Sequence, residues 1–291
     1  MSAPGEETTA ATGTSAGGTG ATALIQARSL TIGYSARSAV TTGLDLDIEA
    51  GSFVAIVGPN ACGKSTLLRA IARLLEPRAG RVLLDGRDIA TRGAKELARE
   101  IGVLAQTSVV PDGMRVAELV ARGRYPHRRP FTAWSKADEE AVRRAMAATD
   151  VLALAERVVD ELSGGQRQRV WVALALAQDT RTLLLDEPTT YLDIAHQLEM
   201  LDLFRAINRR QGRTIVAVLH DLNQAARYAD RIVAMRDGAI VAQGTPADVI
   251  TAPTIESVFD LPCRIIADPV SGTPLVVPLM RPEPAIGEFD G

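Results

Sequence analysis

The chain has 291 residues, enough for one large domain or two modest ones with a substantial core. Its 32 basic and 35 acidic residues leave a net charge of -3 and aromatics make up 4%, so neither an electrostatic footprint for nucleic acid nor a base-stacking surface is expected. Cys62 and Cys263 lie far apart, which argues for a reducing compartment without a disulfide framework, and no apolar run reaches the roughly 20 residues that span a bilayer.

Residues 1–22 are mostly Gly, Ala, Ser and Thr, with neither a basic nor an apolar region of the secretory kind, and read as a disordered tail. Ordered structure is expected from Ala23, with short alternating strands over 24–30, 31–34 and 44–48. Tyr34 stands just before a small loop; its ring suits stacking on adenine and equally suits an ordinary strand position, and both readings stand. An apolar run over 52–57 then reads as a buried strand.

That strand feeds Gly58, Pro59, Asn60, Ala61, Cys62, Gly63, Lys64, Ser65 and Thr66, which fit G-x-x-x-x-G-K-[ST]. The chemistry explains the residue types. Gly58 and Gly63 let backbone wrap closely around oxygens, and a helix N-terminus with bare N–H groups attracts an anion. Lys64 brings a mobile positive charge to the β- and γ-phosphates of ATP, Ser65 offers a hydroxyl to Mg²⁺, and Thr66 offers a donor toward the α-phosphate. Leu67, Leu68, Ile71, Leu74 and Leu75 continue at helical spacing, predicting a helix that runs to just before Pro77.

Further on, 81–84 with Asp85-Gly86 suggests a strand and turn, and 101–105 a strand ending at Gln106. Residues 107–170 become Arg- and Ala-rich and helical in pattern, an insertion within an α/β core. Within it Ser163 reads as the N-cap of a helix through Ala177, and Gly164, Gly165 and Gln166 leave that helix start uncovered as a second phosphate site; a capped helix with a flexible entry would look the same. Residues 182–186 form a buried strand ending in Asp186 and Glu187. In doubly wound sheets such carboxylates sit beside the phosphate loop, where Asp186 suits Mg²⁺ and Glu187 suits proton abstraction from water. After a helix over 196–210, strand 214–219 ends at His220, which either touches the γ-phosphate or is structural. A hairpin turns at Asp237-Gly238, a helix covers 246–249, and a Pro-rich tail without catalytic signal completes the chain.

The phosphate loop, Gln106, the Leu162–Gln166 signature, the 183–187 strand, Tyr191-Leu192-Asp193 and His220 occur in the order found in ATP-binding cassette ATPases, and the chain resembles that family over residues 24–244. The resemblance implies an α/β P-loop core with an antiparallel β subdomain and an inserted α-helical subdomain. It divides the chain into the tail, an ATPase domain over 23–245 and a C-terminal extension over 246–291. It implies a head-to-tail homodimer with ATP between one copy's phosphate loop and the other's Ser163, Gly164, Gly165 and Gln166. Asp193 would lie at the dimer axis, Gln106 would sense Mg²⁺ and γ-phosphate, and the insertion would dock on a membrane permease at the cytoplasmic face. Catalysis would fall to Glu187, His220, Gln106 and Lys64, and Mg²⁺ to Ser65, Gln106 and Asp186.

Where many cassettes carry Gly the chain has Ala61, which adds strain only if that position needs a positive φ. Arg122-Gly123-Arg124-Tyr125-Pro126-His127, with Pro130, Phe131 and Trp134, is similar to cassettes of iron–siderophore, haem and vitamin B12 importers; Tyr125 and Trp134 could equally pack the insertion. Such importers also use a substrate-binding protein. Import of another metal ion or an amino acid is the nearest rival. An ATPase acting on chromosomes is disfavoured, because the span from phosphate loop to signature is only about 100 residues and holds no sustained heptads.

Overall fold

A computed structural model describes residues 23–34, 39–104, 111–128 and 133–280. Its centre is a six-stranded sheet. Strands β3 (Phe53–Val57), β6 (Ile101–Leu104), β7 (Thr182–Asp186), β8 (Thr214–Val218) and β9 (Arg231–Arg236) run parallel, and β10 (Ala239–Gly244) closes one edge antiparallel. The spatial order is β10-β9-β3-β8-β7-β6. The parallel strands are mainly apolar because both faces are covered, whereas edge strand β10 alternates exposed and half-buried residues. Phe53, Ala55 and Val57 face one core cluster, while Val54 and Ile56 face the other.

On the second face lies an antiparallel sheet, β2-β1-β4-β5, built from β1 (Ala23–Ile32), β2 (Thr41–Glu49), β4 (Ala79–Leu84) and β5 (Arg87–Asp88). The two strands expected over 24–34 are one strand with a bulge. Ser29 adopts φ 49, its N–H bonds Asp45, and the register slips between Ala27 and Leu30, which interrupts the alternation. Between the sheets lies α1 (Lys64–Ile71). It ends six residues short of Pro77. Arg73 takes φ 55, its N–H bonds Ala70 O, and Leu74 N bonds Arg69 O, which together make a left-handed helix stop. Two carbonyls, of Ile89 and Arg92, hold the Arg73 guanidinium there, and Leu74 turns outward to 62% exposure. Helix α2 (Ala94–Glu100) precedes β6.

The insertion is a helical layer of α3 (Val116–Ala121), α4 (Lys136–Ala148) and α5 (Gly164–Ala177), with a 3₁₀ segment over Arg122–His127. It has its own core of Val116, Leu119, Val120, Met146, Val170 and neighbours. Helix α6 (Ile194–Gln211) and α7 (Leu222–Tyr228) cover the first face of the parallel sheet.

Beyond Thr245 come α8 (Pro246–Val249), α9 (Ala252–Phe259) and the hairpin β11 (Cys263–Ala267) with β12 (Pro274–Pro278). This extension does not stand apart. Val249, Ile250, Ile255, Val258, Cys263 and Val276 join the core under α6 and α7, and the Asn223 side chain on α7 accepts from Val276 N at 2.7 Å. Both cysteines are free and buried.

Candidate active site

Strands β3, β8 and β7 are neighbours running the same way, so their C-terminal ends and the loops leaving them share one edge of the sheet. The phosphate loop leaves β3, His220 lies just past β8, and Asp186 ends β7. The loop is tightly seated. A Cβ on Gly58 would stand 2.2 Å from Met235 O and 2.8 Å from Cys62 Sγ, so only glycine fits. Gly63, at φ 104, caps α1 without any side-chain bond, which leaves the helix N–H groups facing the cavity. Ala61 adopts φ 62, so the condition for strain is met and the cost is on the order of 1 kcal/mol.

Lys64 is buried, and its ammonium donates to Gly58 O at 2.9 Å and Pro59 O at 2.7 Å. The Ser65 hydroxyl donates to Asp186 Oδ1 at 2.7 Å. Burial pushes the Asp186 carboxyl above the ordinary carboxylate range; the Ser65 hydrogen bond opposes the rise and the neighbouring Glu187 charge adds to it. Glu187 itself sits at φ 53 in the left-handed region, an unusual place for a residue with a Cβ. Its Oε1 lies 2.8 Å from His220 Nε2, and its Oε2 accepts from the Thr190 hydroxyl at 3.3 Å. Both carboxylate oxygens are thus engaged, and the ring nitrogen facing a carboxylate carries its proton.

A cavity of about 520 Å³ joins these groups, lined by Tyr34, Asn60, Ala61, Gly63, Lys64, Ser65, Thr66, Glu187 and His220. Tyr34 is mostly exposed at its rim, with its hydroxyl 3.3 Å from Thr66 Oγ1. Three lining or supporting residues escaped the sequence reading: Val40, Arg69 and Thr190. Arg69 donates to the Tyr34 hydroxyl at 3.1 Å, and its position four residues after Ser65 on the same helix face was the available signal. For Thr190 it was the three-residue spacing from Glu187, a turn closed by Thr190 N on Glu187 O at 3.3 Å; Val40 gave none, since its placement depends on how its loop returns to the site.

The signature lies elsewhere on the chain. Ser163 Oγ accepts from Gln166 N at 3.3 Å and Gln166 Oε1 accepts from Ser163 N at 3.2 Å, a reciprocal cap on α5. Asp193 caps α6, taking His196 N at 2.9 Å and contacting His196 Nδ1 at 2.7 Å. Ser163, Gly165, Gln166, Asp193 and His196 line a second, separate cavity of about 460 Å³. Tyr191 and Ile194 beside it are 82% and 75% exposed. The space around Gly164 is open, with Tyr191 Cβ at 3.8 Å from a built Cβ, so nothing within the chain demands glycine there. Gln106, Pro130 and Phe131 lie outside the described residues. Among the described residues no helix is long and apolar enough to cross a membrane.

Comparison with known proteins agrees with this geometry. The ABC transporter family pattern matches residues 41–190. The ferric enterobactin transport ATP-binding protein FepC of Escherichia coli (strain K12) is 55% identical over 263 residues, covering 90% of this chain and 97% of that protein. The achromobactin transport ATP-binding protein CbrD of Dickeya dadantii (strain 3937) is 48% identical over 260 residues, covering 89% and 96%. Among solved structures, the dimeric bacterial ABC transporter cassette MJ0796 superposes with a TM-score of 0.69 at 28% identity, covering 76% of this chain and 98% of that one. The chain belongs to the ABC transporter family, as an ATP-binding subunit whose hydrolysis of ATP is coupled to transport.

Proposed function

We propose that two copies of this chain bind ATP across their interface and power a permease that imports an iron–siderophore complex. The observation that carries the dimer is the separation of the phosphate-loop cavity from the signature cavity on one chain. Neither cavity holds both the phosphate loop and the signature. Head-to-tail pairing, supported by the dimeric MJ0796 cassette, would bring Ser163, Gly164 and Gly165 of one copy against the ATP on the other, with Asp193 near the axis. The exposed Tyr191 and Ile194 and the open space at Gly164 fit a surface covered in such a dimer.

Within each site Lys64 would exchange its carbonyl partners for the β- and γ-phosphates. Tyr34 would stack on the base, and Asn60, Ala61, Cys62, Gly63 and Thr66 would wrap the phosphates. Glu187 would accept a proton from the attacking water, held in aim by His220 and Thr190. The Ser65 hydroxyl and Asp186 carboxylate are hard oxygen donors suited to Mg²⁺, which neutralises charge on the β- and γ-phosphates when bound. No cluster of three or more His, Cys, Asp or Glu among the described residues builds a cage for a metal, as fits an ion held mainly by phosphates and water. Gln106 would report that occupancy to the helical layer, which docks at the membrane's cytoplasmic face.

The cargo reading rests on FepC and CbrD, and implies an extracytoplasmic substrate-binding protein as a further partner. Glu187→Gln is expected to bind ATP, hydrolyse it at least about a hundredfold more slowly, and accumulate as a dimer in sedimentation velocity. Pairing Lys64→Ala with Gly164→Asp chains should restore one working site per dimer. Normal turnover by Glu187→Gln would remove Glu187 as the base, and full activity of an isolated monomer would refute the composite site. Iron uptake by permease-containing vesicles with ferric siderophore, and not with cobalamin or haem, would test the cargo.

A further inference from the structure

The Arg122–His127 segment has no part in the ATP site, yet its side chains converge on the far end of the signature helix. Buried Arg124, ion-paired to Asp138 at 2.9 Å, donates from Nη1 to Ala177 O at 2.9 Å. His127 Nε2 lies 2.6 Å from Gln178 O; a carbonyl only accepts, so this nitrogen is the donor. Gln178 Oε1 then accepts Val103 N at 3.3 Å from edge strand β6. A Cβ on Gly123 would stand 2.5 Å from Leu174 O, so the backbone lies directly on the helix. The last carbonyls of α5 are therefore capped by Arg124 and His127 and tied through Gln178 to the parallel sheet.

One face of α5, with Val170, Ala173 and Ala177, packs with α3 and α4 in the core of the helical layer. Its other face packs into the parallel-sheet core through Val172 and Ala175, and Gln178 ties its C-terminal end to edge strand β6. The 14 residues of α5 make a rod of about 21 Å with Ser163 and Gly164 at the other end. Slack of about 5° at Gln178 would displace Gly164 by about 2 Å, more than a hydrogen bond tolerates. Misplacement by about 1 Å already costs on the order of a hundredfold in rate.

We infer that His127 and Gln178 are positioning residues, a pivot that sets the angle of the signature helix to the parallel sheet and so the fit of Ser163–Gly165 to nucleotide on the opposing copy. The inference rests on the composite-site reading. It is tested in full-length Glu187→Gln chains by three readouts: ATP affinity by calorimetry, ATP-driven dimerisation by sedimentation velocity, and Tm. His127→Ala and Gln178→Ala should keep ATP affinity within about twofold yet weaken dimerisation at least about tenfold. His127→Gln, which retains a donor at similar reach, and Gln178→Glu, which retains the acceptor for Val103 N, should recover most of that loss. In chains with Glu187 intact the alanine variants should lower kcat and leave the KM for ATP unchanged. Dimerisation unaltered by both alanine changes, or ATP affinity falling in step with it, overturns the pivot. If Glu187→Gln alone stays monomeric with ATP, the composite site fails and the pivot with it.

Discussion

Asp186 and Glu187 are adjacent carboxylates with opposite constraints. Asp186 is buried and hydrogen-bonded by Ser65, and its charge is costly in the bare protein; Glu187 is aimed by His220 and Thr190 from a left-handed backbone. Asp186→Asn keeps an acceptor for Ser65 and removes the buried charge. It should raise the Tm of the nucleotide-free chain near neutral pH while abolishing Mg²⁺-dependent hydrolysis. Because the folded-state pKa is raised, the charge penalty is relieved as pH falls through it, so the gain in Tm should shrink on acidification. A Tm below that of the unaltered chain at neutral pH would contradict this account. Ala61 carries a similar kind of local cost in the loop itself, where φ 62 is held by the close packing of its neighbours.

At the scale of elements, α4 is anchored by its own first turn. Ser135 and Asp138 form a reciprocal cap, and Asp138 also pairs with buried Arg124. The Ser135 hydrogen bond, with Arg124 beside it, holds the Asp138 carboxyl below the ordinary range against the opposing effect of burial. A depressed carboxyl contributes stability that is present above its unfolded-state pKa and is lost as pH falls through the folded value. Asp138→Ala leaves Arg124 buried without that charge and should cost about 3 kcal/mol at neutral pH, measured by urea unfolding. The difference from the unaltered chain should narrow in acid. An equal loss at every pH would assign the effect to packing alone. The neighbouring 3₁₀ segment leaves Tyr125 65% exposed under Lys95, 4.7 Å from its ring, and Trp134 41% exposed near Arg128. Neither aromatic is absorbed into the helical core, which favours a surface role over the packing one that the sequence left open.

Across the whole molecule, the extension past Thr245 closes the core under α6 and α7. Val249, Ile250, Ile255 and Val258 are each buried. At about 2 kcal/mol per side chain they contribute on the order of 8 kcal/mol, comparable with the whole stability of a domain. Truncation after Thr245 should therefore give insoluble or unfolded protein, read by Tm and gel filtration, even though the ATP cavity lies elsewhere. A truncated chain with unchanged Tm would show the extension to be dispensable.

The sequence by itself determined the local chemistry: a glycine loop between strand and helix, a Ser163 cap, two carboxylates at a strand end, and a turn at Asp237-Gly238. Each depends on residues within a few positions of one another, where φ/ψ limits and capping act directly. The tertiary structure decided the rest. Leu74 has the helical spacing yet lies outside α1, because Arg73 is held in a left-handed stop by carbonyls from residues 89 and 92. The 246–280 region has no catalytic motif, and its core role depends on contacts with α6 and α7 far back in the chain. That the phosphate loop and the signature occupy different cavities is likewise invisible in their order along the sequence, since it comes from the strand order β3-β8-β7 and from the loop after β7, which sets Tyr191 and Leu192 against the start of α5. Local motifs are written in neighbouring residues, whereas helix ends, shared cores and half-sites are set by long-range packing that no single stretch contains.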